Sequence, residues 1–184
     1  MTDSLPTRDL AALVAMRLTH DLAGPLGAVA TGIDLLDDGD VEIRSLIADG
    51  AGTAVASLRL HRFILAPSGD ASPPQALLAA WIAHRDGVAL DWRADPATPT
   101  LVLGLAMCAV EAARRGGTLV VDGDGIAFSP PPVLDPSVAT ALAGGGASIA
   151  RAALAALLHA DATRRGGTIG VTADAVALRL SYHA

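Results

Sequence analysis

The sequence is poor in the residues that mark several large classes of protein. It has one cysteine, Cys108, which excludes an intramolecular disulfide framework and a cysteine-based zinc site. Lysine and arginine form no basic run and the formal charge is −6, which argues against a nucleic-acid partner because a polyanion requires a concentrated basic surface. No apolar run is long enough to cross a bilayer, and "MTDSLPTRDL" lacks the features of a signal peptide. We therefore expect a cytoplasmic protein with no membrane partner.

Apolar residues are abundant, and their spacing divides the chain into two parts. The chain has 184 residues, 52% of them hydrophobic, which is enough to bury a core. Helical periodicity runs from about 7 to 36 and again from about 41 to 65, with the turn "DDGD" between, and predicts a helical hairpin. The stretch "APSGDASPP" is typical of a linker. The predicted boundaries are a hairpin at 1–66, a linker at 67–74 and a second domain at 75–184.

The second domain mixes helical and strand patterns, so the chain as a whole is predicted to be of the α+β class. Helices interleaved with strands such as "GVALDWR" and hairpins such as "TLVVDGDGIAFS" predict an α/β sandwich, with helices covering one face of a sheet. The letters "RRGGT" occur twice, each time between a helix and a hairpin. Their glycines are predicted to supply the left-handed residue that ends a helix.

The first helix presents a histidine, His20, away from its apolar stripe. A spacing of four and three residues produces that stripe, which consists of Leu22, Leu26, Val29, Ile33 and Leu36. His20 lies about 160° from the stripe and is predicted to face outward. Gly24 and Gly27 lie on the same outward side and would leave it bare. A solvated surface histidine with no function fits this position equally well.

The letters around His20 resemble the H-box of the phosphoacceptor hairpin of sensor histidine kinases. His20 and Asp21 are followed by Pro25 and Leu26, and a proline inside a helix needs a reason because it removes a hydrogen bond. The resemblance implies that His20 is the nucleophile that carries phosphate, and that Asp21 orients its ring or accepts its other proton. The rival acceptor His61 lacks this context and is expected to be packed.

The second domain resembles the ATP-binding domain of the same kinases in element order but lacks its nucleotide motifs. Glu111 stands where the family has the asparagine that holds magnesium, and no Asp-x-Gly-x-Gly motif follows. "DGDG" reads as a hairpin turn, and "GGGAS" before a helix reads as an ordinary loop. We therefore expect no ATP, no metal and no other intrinsic cofactor.

A phosphoacceptor hairpin joined to a degenerate kinase-like domain resembles the ChpT-type histidine phosphotransferases, as do "GIDLLDDGD", "LDWR" and "RRGG". The resemblance implies a homodimer whose hairpins form a four-helix bundle. His20 would accept a phosphoryl group from the receiver domain of a hybrid histidine kinase, with Mg²⁺ supplied by that receiver, and pass it to response regulators of the CtrA type. The second domain would help to dock these partners.

The predicted partner contacts are residues around His20 on the first helix: Leu13, Met16, Arg17, Gly24 and Gly27. Packing within the dimer is the alternative for Leu13 and Met16. Gly24 stands where bifunctional kinases carry Thr or Asn, which argues against phosphatase activity. Two other functions remain open at this point, an ATP-dependent histidine kinase and a non-catalytic dimerisation module.

Overall fold

A helical hairpin begins the fold and an α/β domain follows it, in a computed structural model that describes residues 7–37, 40–66 and 72–184. The helices are α1 (Thr7–Asp34), α2 (Val41–Leu65), α3 (Pro74–Ile82), α4 (Pro99–Ala112), α5 (Pro136–Leu142) and α6 (Ala150–Arg164). The strands are β1 (Val88–Ala94), β2 (Gly117–Asp122), β3 (Gly125–Ser129), β4 (Thr168–Ala173) and β5 (Leu178–His183). The predicted α+β class is confirmed.

The predicted connections fall partly outside the described residues. Positions 67–71 of the predicted linker and positions 38–39 of the "DDGD" turn are among them, as are residues 1–6. α2 begins at a conventional cap, because the side chain of Asp40 accepts a hydrogen bond from the amide of Ile43 at 3.0 Å. The division of the chain into 1–66, 67–74 and 75–184 stays a prediction.

Small residues bring α1 and α2 together. A methyl group at Gly50 would lie 2.9 Å from the carbonyl oxygen of Pro25, and one at Gly32 would lie 2.5 Å from the side chain of Ile47. At Gly50 a side chain is excluded by the backbone of α1, and at Gly32 it is excluded by the packed side chain of Ile47. The contact between the two helices therefore depends on small residues, including Ala28, beside larger ones such as Val29.

The apolar stripe of α1 is exposed along part of its length. Leu26 is 53% exposed, Ile33 59% and Leu36 42%, while Leu22 and Val29 are half-buried. Within the single chain the stripe is therefore only partly covered. Hydrophobic periodicity identifies rows of large side chains, whereas much of the contact with α2 is made by small residues such as Gly32 and Gly50.

The sheet has the order β1-β2-β3-β5-β4, with β1 and β2 parallel and the other neighbours antiparallel. "DGDG" forms the turn between β2 and β3, where Asp122 pairs with Gly125, so that prediction is confirmed. Gly116 and Gly166 in the two "RRGGT" segments have φ of +72° and +84°. Gly166 follows the cap of α6 directly and confirms the predicted helix stop there. The prediction is wrong for Gly116, because α4 already ends at Ala112 with an extended Ala113, and Gly116 instead lies against the backbone of Gly87.

One continuous core joins the hairpin to the α/β domain. Helix α4 is buried from Leu101 to Val110 against the apolar face of the sheet. Leu60 and Phe63 of α2 belong to the same cluster of buried side chains, and Leu10 and Leu13 of α1 pack against it. The core therefore fixes the position of α1 relative to the α/β domain.

The described helices include none that is long and apolar enough to cross a membrane.

Candidate functional site

His20 projects from α1 into solvent, as predicted. Its side chain is 86% exposed, and its Nδ1 lies 3.3 Å from Oδ1 of Asp21. Among the described residues no other side chain or carbonyl is within hydrogen-bonding distance of the ring. If Nδ1 carries the proton and donates it to the carboxylate, Nε2 keeps a free lone pair that faces away from the protein. A neutral imidazole held in this way can act as a nucleophile.

Asp21 is the centre of a polar cluster beneath His20. Its side chain is 16% exposed, and its Oδ2 accepts a hydrogen bond from Nε of Arg17 at 2.8 Å. Burial alone would raise the pKa of Asp21, but the contact with His61, together with the hydrogen bond and the charge of Arg17, holds it well below its ordinary range. Asp21 is therefore an ionised acceptor at physiological pH.

Arg17 links α1 to two elements of the α/β domain. Besides its bond to Asp21, the guanidinium pairs with Glu111 of α4 and donates to the carbonyl oxygen of Arg151 at 3.1 Å. Burial alone would lower the pKa of Arg17. The charges and hydrogen bonds of Glu111 and Asp21 outweigh burial and raise the pKa above its ordinary value, so the side chain stays charged. Arg17 is buried, because its acidic partner comes from a helix far along the chain, and its predicted contact with a partner protein stays a prediction.

Glu111 holds this arginine where the kinase resemblance places a magnesium ligand. Its carboxylate is neutralised by Arg17, and the side chain is 24% exposed. The described residues contain no group of three or more His, Cys, Asp or Glu side chains that could hold a metal ion. Arg17 already engages the carboxylate of Glu111, and the expected absence of ATP, metal and other intrinsic cofactors stays a prediction.

His61 of α2 reaches the same cluster from the other helix of the hairpin. Its ring is buried, its Nδ1 donates to the carbonyl oxygen of Ser57 at 2.9 Å, and its Nε2 lies 3.4 Å from Oδ2 of Asp21. The prediction that His61 is a packed histidine is confirmed, and its burial removes it as a rival acceptor. The sequence analysis did not predict the contact with Asp21, because the letters "RLHRFIL" do not indicate which residue of α1 lies opposite His61.

The remaining predicted contacts divide into exposed and packed residues. A methyl group at Gly24 or Gly27 would have no neighbour within 4 Å, and both residues are exposed. Met16 is 61% exposed. Leu13 is instead half-buried against the core, so its predicted place on the open face is wrong. The open surface around His20 consists of Met16, Gly24 and Gly27.

His20 lies at the edge of a groove of about 1080 Å³ between α1 and the α/β domain, which we call the acceptor groove. Its walls come from α1, the end of α4, the segment 130–136 and the start of α6. Four of its lining residues are cationic and lie in the α/β domain: Arg85, Arg114, Arg115 and Arg151. The groove thus joins the exposed histidine to a surface of the second domain that carries these arginines together with Glu111 and Asp135.

The fold is that of a solved structure described as a bacterial phosphotransferase. The two superpose with a TM-score of 0.82 over 100% of each chain, at 22% sequence identity. The histidine kinase AdeS of Acinetobacter baumannii superposes with a TM-score of 0.38 over 90% of this chain and 93% of its own, at 12% identity. A TM-score this low supports no conclusion about this protein.

The sequence is similar in part to the protein phosphotransferase ChpT of Brucella abortus (strain 2308). The two are 36% identical over 70 residues, which cover 37% of this chain and 34% of that protein. The match thus spans about a third of the length of this curated relative. No protein-family model matches the sequence. The predicted resemblance to ChpT-type histidine phosphotransferases is confirmed by these two similarities.

Proposed function

We propose that the protein is a histidine phosphotransferase of a two-component phosphorelay, with His20 as the phosphoryl carrier. The observation that carries this proposal is the state of His20: it is exposed on a bare helix face, with Nδ1 against an ionised carboxylate and Nε2 free. The similarity to a ChpT segment and to the fold of a bacterial phosphotransferase supports the same conclusion.

The chemistry requires little more than this nucleophile. The lone pair of His20 Nε2 attacks the phosphorus of an aspartyl phosphate in the receiver, forming the N–P bond as the P–O bond breaks. The electron pair of that bond leaves with the receiver's carboxylate. Nδ1 keeps its proton in the contact with Asp21, whose negative charge stabilises the positive charge that develops on the ring. Transfer to a second receiver reverses these steps.

The acceptor groove is the proposed docking surface for the receiver. A receiver presents carboxylates around its phosphorylated aspartate and supplies its own Mg²⁺, so its surface there is acidic. The exposed Arg114 and Arg115 on the opposite wall complement that charge. Donor and acceptor partners, a hybrid histidine kinase and CtrA-type regulators respectively, would use the same surface because His20 must reach both. Such a relay operates in the cytoplasm.

A homodimer is the proposed assembly, with the two hairpins forming a four-helix bundle. The apolar stripe of α1 is exposed in the single chain, and α2 adds a second exposed row with Val55 at 56%, Leu58 at 52% and Leu65 at 37%. Contiguous exposed apolar surface on a hairpin is typical of a protein interface. A second copy of the hairpin would cover both rows.

The direct test of the function is phosphoryl transfer from a receiver. The receiver domain is phosphorylated, freed from the small donor and mixed with this protein, and the protein is assayed for acid-labile, base-stable label. Wild type should be labelled and His20→Ala should not. His84→Ala, which removes another exposed histidine, is the matched control and should be labelled normally. Full labelling of a folded His20→Ala protein would refute the proposal.

A further inference from the structure

Two histidines face opposite oxygens of one carboxylate. His20 of α1 lies against Oδ1 of Asp21 at 3.3 Å, and His61 of α2 lies against Oδ2 at 3.4 Å. The first ring is 86% exposed and the second is 5% exposed. The proposed reaction uses the first ring and gives the second no role.

The orientation of the His61 ring is fixed by a hydrogen bond to the backbone of its own helix. A carbonyl oxygen only accepts hydrogen bonds, so the 2.9 Å contact between Nδ1 and Ser57 requires Nδ1 to carry a proton. This bond turns Nε2 toward Asp21. The contact between Nε2 and Asp21 becomes a charge-assisted hydrogen bond when the ring carries both protons.

Packing alone does not account for a histidine at this position. Nε2 of His61 is sealed from solvent and makes no conventional hydrogen bond to any of the described residues. Leaving a buried polar atom unpaired costs free energy, which an apolar side chain of similar size would avoid. The carboxylate of Asp21 is the group that lies near this nitrogen.

We propose that His61 is a positioning residue for phosphoryl transfer, acting on His20 through Asp21. Arg17 of α1 donates to Oδ2, His61 of α2 lies against the same oxygen, and this leaves Oδ1 directed at Nδ1 of His20. A carboxylate fixed in this way keeps the His20 ring in one orientation and its Nε2 aimed at the incoming phosphorus. This inference rests on the proposed function of His20.

Two amide variants separate the two contacts of the His61 ring. In His61→Gln the amide nitrogen reaches the position of Nε2 and can donate to Asp21. In His61→Asn the amide nitrogen takes the position of Nδ1, which keeps the bond to Ser57 and loses Asp21. We expect His61→Asn to slow the first-order transfer rate at saturating receiver roughly tenfold with little change in receiver affinity. His61→Gln should restore most of the rate.

The Asp21→Asn variant tests whether His61 acts through Asp21. In that background His61→Asn should cause no further loss of rate, because the two substitutions remove the same effect. Three results would overturn the inference in variants that melt as the wild type does: equal rates for His61→Asn and His61→Gln, a change confined to receiver affinity, or a full additional loss in the Asp21→Asn background.

A second donor keeps this test apart from the test of function. Phosphoramidate labels an accessible histidine without a protein partner, so its rate reports the orientation of His20 alone. If wild type takes label from phosphoramidate but not from receivers, the proposed function fails, and the order of the His61 variants with phosphoramidate still decides the inference. If neither donor labels His20, both are overturned.

Discussion

Arg17 of α1 and Glu111 of α4 form an ion pair between the helix that carries His20 and the α/β domain. The Arg17 side chain is 11% exposed, and its remaining donors bind Asp21 and the carbonyl oxygen of Arg151. The pair therefore holds the proposed nucleophile beside the acceptor groove.

Removing Arg17 should destabilise the protein more than removing a surface arginine. Arg17→Met leaves two carboxylates, Asp21 and Glu111, without their cation, and we expect the free energy of unfolding to fall by about 2–4 kcal/mol. The matched control is Arg179→Met, since Arg179 pairs with Asp174 where both side chains are half exposed. That variant should lose much less stability, because solvent screens an exposed ion pair. Equal losses in chemical denaturation would show that the inter-domain pair contributes no more than a surface pair.

ATP with Mg²⁺ should neither bind nor phosphorylate the protein. Glu111 is engaged by Arg17, and a ligand that does not bind the native state cannot raise its melting temperature. We expect no thermal shift at millimolar ATP and no label from ATP on His20. A shift that grows with ATP concentration would revive the alternative of an ATP-dependent kinase.

Asp21 should contribute to stability in a pH-dependent way. Its pKa is lower in the folded protein than in the unfolded chain, so its contribution is fully present above the ordinary carboxyl pKa of about 4. The contribution falls as the pH drops below that value and is lost once the pH passes the folded pKa. Asp21→Asn should therefore be less stable than wild type at pH 5 by about 1–3 kcal/mol, and the difference should shrink by pH 3.

Other acids titrate in both proteins and cancel in this comparison, including Asp135 and Asp174, whose pKa values are also lowered. Urea denaturation at each pH measures the difference. A gap between the two proteins that widens toward pH 3 would mean that the sign of the pKa shift is wrong.

A large side chain at Gly27 should block receivers but leave His20 reactive. Gly27 lies on the open face of α1, where a methyl group meets nothing within 4 Å, so Gly27→Arg should fold and be equally stable or up to about 1 kcal/mol more stable. Transfer from a phosphorylated receiver should be lost, while labelling by phosphoramidate should persist.

Ala80→Arg, which places the same side chain on an exposed position of α3, is the control for added charge and should transfer normally. Normal transfer by Gly27→Arg would show that receivers approach His20 from another side.

The sequence predicts those features of the site that depend on residues close together along the chain. The outward position of His20 follows from helical spacing, and the helix stop at Gly166 follows from its local letters. The contacts of Arg17 do not, because Glu111 and Arg151 reach it only after the chain has folded back on itself. A charged residue on a helix is predicted to be exposed unless its partner is known.

Two further features could not be predicted from the sequence for the same reason. They are the contact between His61 and Asp21 and the burial of Leu13. Both depend on how helices are placed relative to one another, and in this hairpin the placement is set by short side chains such as Ala28, Gly32 and Gly50. Large apolar residues, which give the strongest periodic signal, remain on the outside of the chain in the stripe that includes Leu26 and Ile33. The periodicity therefore predicted the helices correctly but did not identify the face of α1 that packs on α2 within the single chain.

The central claim is that Nε2 of His20 carries the phosphoryl group between receivers, and phosphorus NMR of the protein labelled by a phosphorylated receiver tests it most directly. The phosphorus resonance should correlate with the ring protons of His20 in the pattern of an Nε2 phosphoramidate, and it should disappear when an unphosphorylated second receiver is added. His20→Ala should give no signal while melting at nearly the wild-type temperature, because an exposed side chain contributes little to packing. A phosphohistidine resonance from any other residue, or one on His20 that a second receiver cannot discharge, would contradict the account.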